Sequence, residues 1–404
     1  MRAKMLGDRA ARLGLQFVVG CIVMASVEAI SLSGAGQHAE STWLDALNST
    51  VVRQYTCEPV VILGLDRASS LGRGDCGAQR ACIAEAVRRV AEGRPAVIIV
   101  DVVLSRDEED EGSGTHRLVH ALRESGHCVL ATSLTRATTG EAIGVEWPDE
   151  LLKVEAKGLG FSDLPFDDDH VIRRARLLEY VNGVPHRSLA DEGVRLARTR
   201  EVETHGRSAL GRVVLLLVQR WIPVADEARC VLINWAARAS VVQRFSLGDL
   251  IGGRVSGTVF GGAVVLIGET SSSKGLLRTR GRWFGQLHNV PHLEIEAQIA
   301  TMLLTSSLLR RVRFLEPLVS LLLYAMAYLL FSRFGIWRAF GGLALISIGL
   351  SALSAACYLY LSVYWNVVAG WIAVFLAAAV LTIVRGWGGR RSAGVLGKDE
   401  GRRT

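Results

Sequence analysis

Two aspartates, Asp66 and Asp101, close short aliphatic runs, Pro59-Val-Val-Ile-Leu-Gly-Leu-Asp66 and Ala96-Val-Ile-Ile-Val-Asp101. Runs of this length and composition read as buried strands. As neighbouring parallel strands they would bring both carboxylates to the carboxyl edge of the sheet, where open α/β folds place ligand sites. Two carboxylates there suit a polar ligand or a hard cation; the plainer alternative is that each caps a following loop or helix through its side-chain oxygen. A second acidic group, Phe166-Asp-Asp-Asp-His-Val-Ile-Arg-Arg174, lacks the Gly and the late Glu of a calcium loop. Asp169 and Arg173 are read there as an ion pair and, with Asp66 and Asp101, as candidate ligand contacts.

Other chemical motifs are incomplete. Gly268-Glu-Thr-Ser-Ser-Ser-Lys-Gly275 approaches a phosphate loop, but Ser273 replaces the second Gly and Gly275 the magnesium-binding hydroxyl. That leaves at most an anion contact by Lys274. His116 and His120 are four apart, so on a helix both could face one metal, but no third ligand is evident. Neither a Gly-x-Ser-x-Gly elbow nor a helical His-Glu-x-x-His occurs. No catalytic residue, metal or cofactor is therefore assigned.

These residues need a scaffold, and the sequence predicts one. Strands at 59–66 and 96–101, a helix at 78–92, a helix at 115–125 and a strand at 127–132 alternate as βαβ units do. Further strands are expected at 231–234 and 263–268, then a helix at 293–305. The expected fold class is α/β, a mixed and mainly parallel sheet with flanking helices, joined to a transmembrane helical part.

The order of elements resembles the second class of CHASE domains, extracellular sensors attached to bacterial cyclases and histidine kinases. The likeness is carried by the strands ending in Asp66 and Asp101, by Gly158-Leu-Gly-Phe161, Asp167-Asp-Asp-His-Val-Ile-Arg-Arg174 and Ile233-Asn234-Trp235, and by the strand Phe260-Gly-Gly-Ala-Val-Val-Leu-Ile-Gly268. It implies a sensory domain outside the membrane. Two departures stand out. Glu296 in Val290-Pro-His-Leu-Glu-Ile-Glu-Ala297 occupies the place where the family pattern puts a His, and no cyclase or kinase follows the last apolar run. A separate signalling effector, or a homo-oligomer formed through the helices, is therefore the expected partner.

Hydropathy sets the membrane part. Runs at 314–332, 339–361 and 366–384 each approach the ~20 residues that cross a bilayer core. The run at 13–33 reads as an uncleaved anchor or, alternatively, as a signal peptide cut near Ser33-Gly34-Ala35. Arg2, Lys4, Arg9 and Arg12 before the first run, Arg333 and Arg338 in the second loop, and the basic segment 385–404 place both termini inside by the positive-inside rule. The stretch 1–12 is then cytoplasmic and 34–312 is the extracytoplasmic sensor domain. The net charge of +7 partly reports this topology, and no nucleic-acid partner is expected. An oxidising compartment permits disulfides, and the strand placement favours Cys76 with Cys82 because Cys57 would lie at the opposite sheet edge.

The expected function is a multi-pass inner-membrane sensor that binds an unknown small molecule or protein outside and signals to a separate partner. The alternative is an exported metal-dependent hydrolase using Asp66 and Asp101.

Overall fold

The computed structural model describes residues 18–50, 53–54, 60–65, 79–105, 113–167, 169–205, 230–235, 237–238, 242–270, 276–280, 287–305, 307–312 and 315–400. The chain divides into two compact units, Asn48–Leu309 and the paired segments Met1–Leu47 and Arg310–Thr404.

The Asn48–Leu309 unit is built on a seven-stranded sheet. Its strands are β1 (Val60–Leu65), β2 (Val97–Val103), β3 (Cys128–Arg136), β4 (Ala142–Glu146), β5 (Gly158–Phe161), β6 (Gln243–Ser246) and β7 (Val264–Glu269). They lie in the order β6-β1-β7-β2-β3-β4, with β5 also paired to β3. Every pairing is parallel except that of β3 with β4. The α/β class with a mainly parallel sheet is therefore present. One expectation is corrected: β7 inserts between β1 and β2, Val264 pairing with both Val60 and Val97, so the strands leading to Asp66 and Asp101 are not neighbours.

The sheet is covered on both faces, which is why its strands are nearly continuous apolar runs. Side chains alternate between the two sides. Val61, Leu63, Ile98, Val100, Val265 and Ile267 pack with Ile83 and Val87 of α3 (Gln79–Glu92) and Leu118 and Leu122 of α4 (Ser113–Ser125). Val60, Ile62, Val97, Ile99, Val264 and Leu266 pack with Leu189 and Ala197 of α5 (Leu189–His205) and Leu293 and Ala297 of α6 (His292–Thr305). The strand expected at 231–234 is shorter, Cys230–Leu232, and leaves the main sheet to pair antiparallel with Arg174–Arg176.

In the other unit, α1 (Val18–Leu32) and α2 (Gly34–Thr50) meet at a 71° bend. Gly36 permits the turn, because a Cβ there would lie 2.2 Å from the carbonyl oxygen of Ile30. The three C-terminal apolar runs form α7 (Leu315–Arg333), α8 (Ile336–Leu361) and α9 (Val367–Glu400). Among the described residues, α8 is long and apolar enough to cross a membrane, and the bent α1–α2 pair qualifies if taken as one span. The apolar part of α9, Val367–Ile383, is shorter. The boundary between the units falls at Asn48, beyond the residue 34 at which composition begins the sensor domain, because α2 continues as helix.

Candidate functional site

Asp101, the fifth residue of β2, anchors a cluster that joins the middle of the sheet to the first residue of α6. Its side chain is 7% exposed. Oδ2 lies 2.9 Å from Nδ1 of His292, the first residue of α6, and Oδ1 accepts the hydroxyl proton of Ser162, which follows β5. Nε2 of His292 lies 2.7 Å from the carbonyl oxygen of Ser162. Gly268, opposite Asp101 on β7, makes the approach possible: a Cβ there would meet Leu293 Cδ1 at 3.1 Å and Asp101 Cβ at 3.2 Å.

The protonation state follows from the partners. Both ring nitrogens face acceptors, so both carry protons and the ring is an imidazolium. Burial alone would lower the His292 pKa, but the Asp101 carboxylate outweighs it and the net value is raised to about 9.

Glu296 stands one helical turn after His292, on the same face of α6. It is buried, at 1% exposure. Its carboxylate accepts the backbone N–H of Ala190 in the first turn of α5, while Oε2 finds no hydrogen-bond partner among the described residues. Burial raises its pKa well above the ordinary carboxylate range, against the pull of His292, and the negative charges of Asp101 and Asp163 push the same way as burial. Asp163 accepts the backbone N–H of Leu134 at 2.7 Å, and burial raises its pKa too. The cluster thus gathers three carboxyls and one imidazolium around the N-termini of two helices.

Chemically this is a holding and proton-binding arrangement. The Ser162 hydroxyl donates to Asp101 and not to His292, so the three residues do not form a nucleophile–base relay. What they do is fasten the first residue of α6 to β2 and to the end of β5.

Asp101 is the one sequence-predicted ligand contact found in this cluster. Asp66, Cys76 and Lys274 lie outside the described residues. Asp169 and Arg173 form the expected ion pair elsewhere: Arg173, 2% exposed, donates to Asp169 at 2.8 and 2.7 Å and to Asp167 at 3.0 Å. Asp169 Oδ1 also accepts the N–H of Val171, bracing a turn in which His170 has φ 59°. Cys82 is disulfide-bonded, whereas Cys21, Cys128 and Cys357 are free thiols. His116 and His120 both lie on α4, where His120 pairs with Glu124 at 3.2 Å. No group of three or more His, Cys, Asp or Glu is placed to hold a metal ion among the described residues.

The residue missed by sequence reasoning is His292. His292 directly follows Pro291 and lies four residues before Glu296, the departure from the family pattern. The spacing of four between them was the available signal, since it puts an imidazole and a carboxyl on one helix face. Ser162 carried no such signal.

The family model described as the CHASE2 domain matches residues 19–337 of this chain. No curated protein and no solved structure gives a significant match.

Proposed function

The chain belongs to the CHASE2 family, a family of extracellular sensory domains, and on that premise we propose that it is a multi-pass inner-membrane sensor. Its α/β unit lies outside the membrane, both termini lie inside, and the sensing site is the cluster of Asp101, Ser162, His292 and Glu296. The observation that carries this reading is the place of His292. It begins α6, and the chain that leaves α6 at Thr305 enters α7 at Leu315. A polar ligand that contests Asp101 or the Ser162 carbonyl, or loss of the His292 proton, therefore frees the start of the element that leads into the membrane part. Disulfide bonding of Cys82 favours an oxidising compartment.

The signal leaves through the helices to a separate effector or a second copy. An open face on α8 supports this, since nothing lies within 4 Å of a Cβ built at Gly341 or Gly349. Small residues on such a face let helix backbones approach closely in lipid. Replacing Gly349 and Ala356 with Leu is expected to release a co-purifying membrane protein or to dissociate a homo-oligomer.

Reporter fusions test the topology. Gly140 sits in an open turn at φ 85° and Gly335 precedes α8 with free space around it, so both positions accept an insertion. A fusion at Gly140 should report outside, and fusions at Gly335 and Gly397 inside. An inside signal at Gly140 would overturn the reading.

A further inference from the structure

Around the membrane part, a second polar cluster joins three segments that are remote in sequence. Arg311, in the short strand Arg310–Arg311 before α7, lies 2.9 Å from Glu40 of α2 and 3.1 Å from Glu316 of α7. Its side chain is 24% exposed, those of Glu40 and Glu316 14% and 17%. The strand pairs in parallel with Val363–Tyr364, the link between α8 and α9, and Val312 adds an N–H bond to the Tyr364 carbonyl at 2.9 Å. The side chain of Asn366, just before α9, donates to Glu40 at 3.0 Å, and its backbone N–H donates to Glu316 at 3.2 Å. Tyr364 donates its hydroxyl to Glu40 at 3.3 Å. Three helix-lengths of sequence contribute to one junction.

Its position gives it meaning. Glu40 lies on the helix through which the chain enters the α/β unit at Asn48, and Arg311 is the second residue after Leu309, where the chain leaves it. Both connections are tied by charge to each other and by hydrogen bonds to Asn366, just before α9. Mere anchoring does not call for buried charge, because apolar packing of similar volume holds helices as well or better. A charged junction differs in that its partners must move together or leave a charge unpaired in a desolvated place.

We infer that Glu40, Arg311, Glu316, Tyr364 and Asn366 form a transmission clamp, which passes a displacement of either connection of the α/β unit to the start of α9. The clamp makes α9, rather than α7 alone, the helix that carries the response across the bilayer. Trp43, one turn after Glu40 on α2, packs edge-on against Trp371 of α9 at 5.3 Å, which continues the contact along both helices.

The test uses the full-length protein in lipid nanodiscs and reads amide hydrogen exchange by mass spectrometry. Glu40→Gln should raise exchange at 366–372, and Asn366→Ala should raise exchange at 40–47, each about tenfold, as expected when a hydrogen bond to a charged group is lost. Coupling is reciprocal, so the two effects should match and the double substitution should add little to either. Arg311→Lys, which keeps the charge and loses the fork, should raise exchange at both segments by a smaller factor and serves if either other variant fails to fold. Exchange that rises only in the substituted residue's own helix, or effects that simply add, would overturn the clamp.

Discussion

Two buried charge clusters in the α/β unit share residue types and end in different states. Around Arg173, one guanidinium donates three hydrogen bonds to two carboxylates from the same turn, Asp167 and Asp169. Around Asp101, an imidazole takes the cationic role, and Glu296 leaves one buried oxygen unpaired. A guanidinium stays charged at any pH a protein survives, so the first cluster is fixed. An imidazolium can lose its proton, so the second can change state. The difference separates a fixed brace from a cluster that can change its protonation state: local and complete in one case, assembled from distant segments and incomplete in the other.

The largest expected effect falls on the brace. Arg173→Met leaves two carboxylates beside a vacated buried site and should destabilise the unit by about 3 kcal/mol, read as a lower midpoint in denaturant melts of the full-length protein. That loss should change little with pH near neutrality, since the guanidinium it removes stays charged at any pH the protein survives.

The second cluster should behave oppositely. The folded pKa of His292, about 9, exceeds its ordinary value of 6.5. A raised basic group contributes stability that is fully present below about 6.5 and is lost as pH rises through about 9, a total of about 3 kcal/mol. Glu296 works in the same direction, because a buried acid with a raised pKa favours the folded state less as it is forced to ionise. Denaturant melts should therefore show stability falling from about pH 6 to pH 9, and a flat profile would break the contrast.

A smaller gain is expected from Glu296→Gln, which keeps the shape of the side chain and removes the buried acid. It should stabilise the protein by about 1 kcal/mol at pH 8 and flatten the pH profile without abolishing it. The smallest effect concerns Cys128, whose thiol is pushed up to about 12 by burial. A maleimide should label it negligibly in the folded protein, and ready labelling at neutral pH would show the sheet edge at β3 to be open.

What the sequence made legible was local. Alternation of apolar runs with helical spacing located β1, β2, β3 and β7, because strands buried on both faces leave little else to read. The Asp169–Arg173 pair was legible because both residues lie within one turn. The order of the sheet was not, since a parallel strand can insert wherever its crossover reaches, and β7 arrives from far along the chain. The His292–Asp101 contact depends on that insertion: only with β7 beside β2 do Gly268 and the start of α6 come against Asp101. The clamp at Glu40 and Arg311 was hidden for the same reason, each partner reading alone as a surface charge.

The central claim is that His292, held by Asp101 and Ser162, fastens the start of α6 and releases it when the contact is lost. Hydrogen exchange at 295–300, measured on the full-length protein beside its Asp101→Asn variant and corrected for the intrinsic pH dependence of exchange, tests this most directly. In the wild type, protection of these amides should fall as pH rises toward about 9, and in Asp101→Asn it should already be low at pH 7, while residues 171–176 around Arg173 stay protected in both. Equal protection of 295–300 in the two proteins at pH 7 would contradict the account.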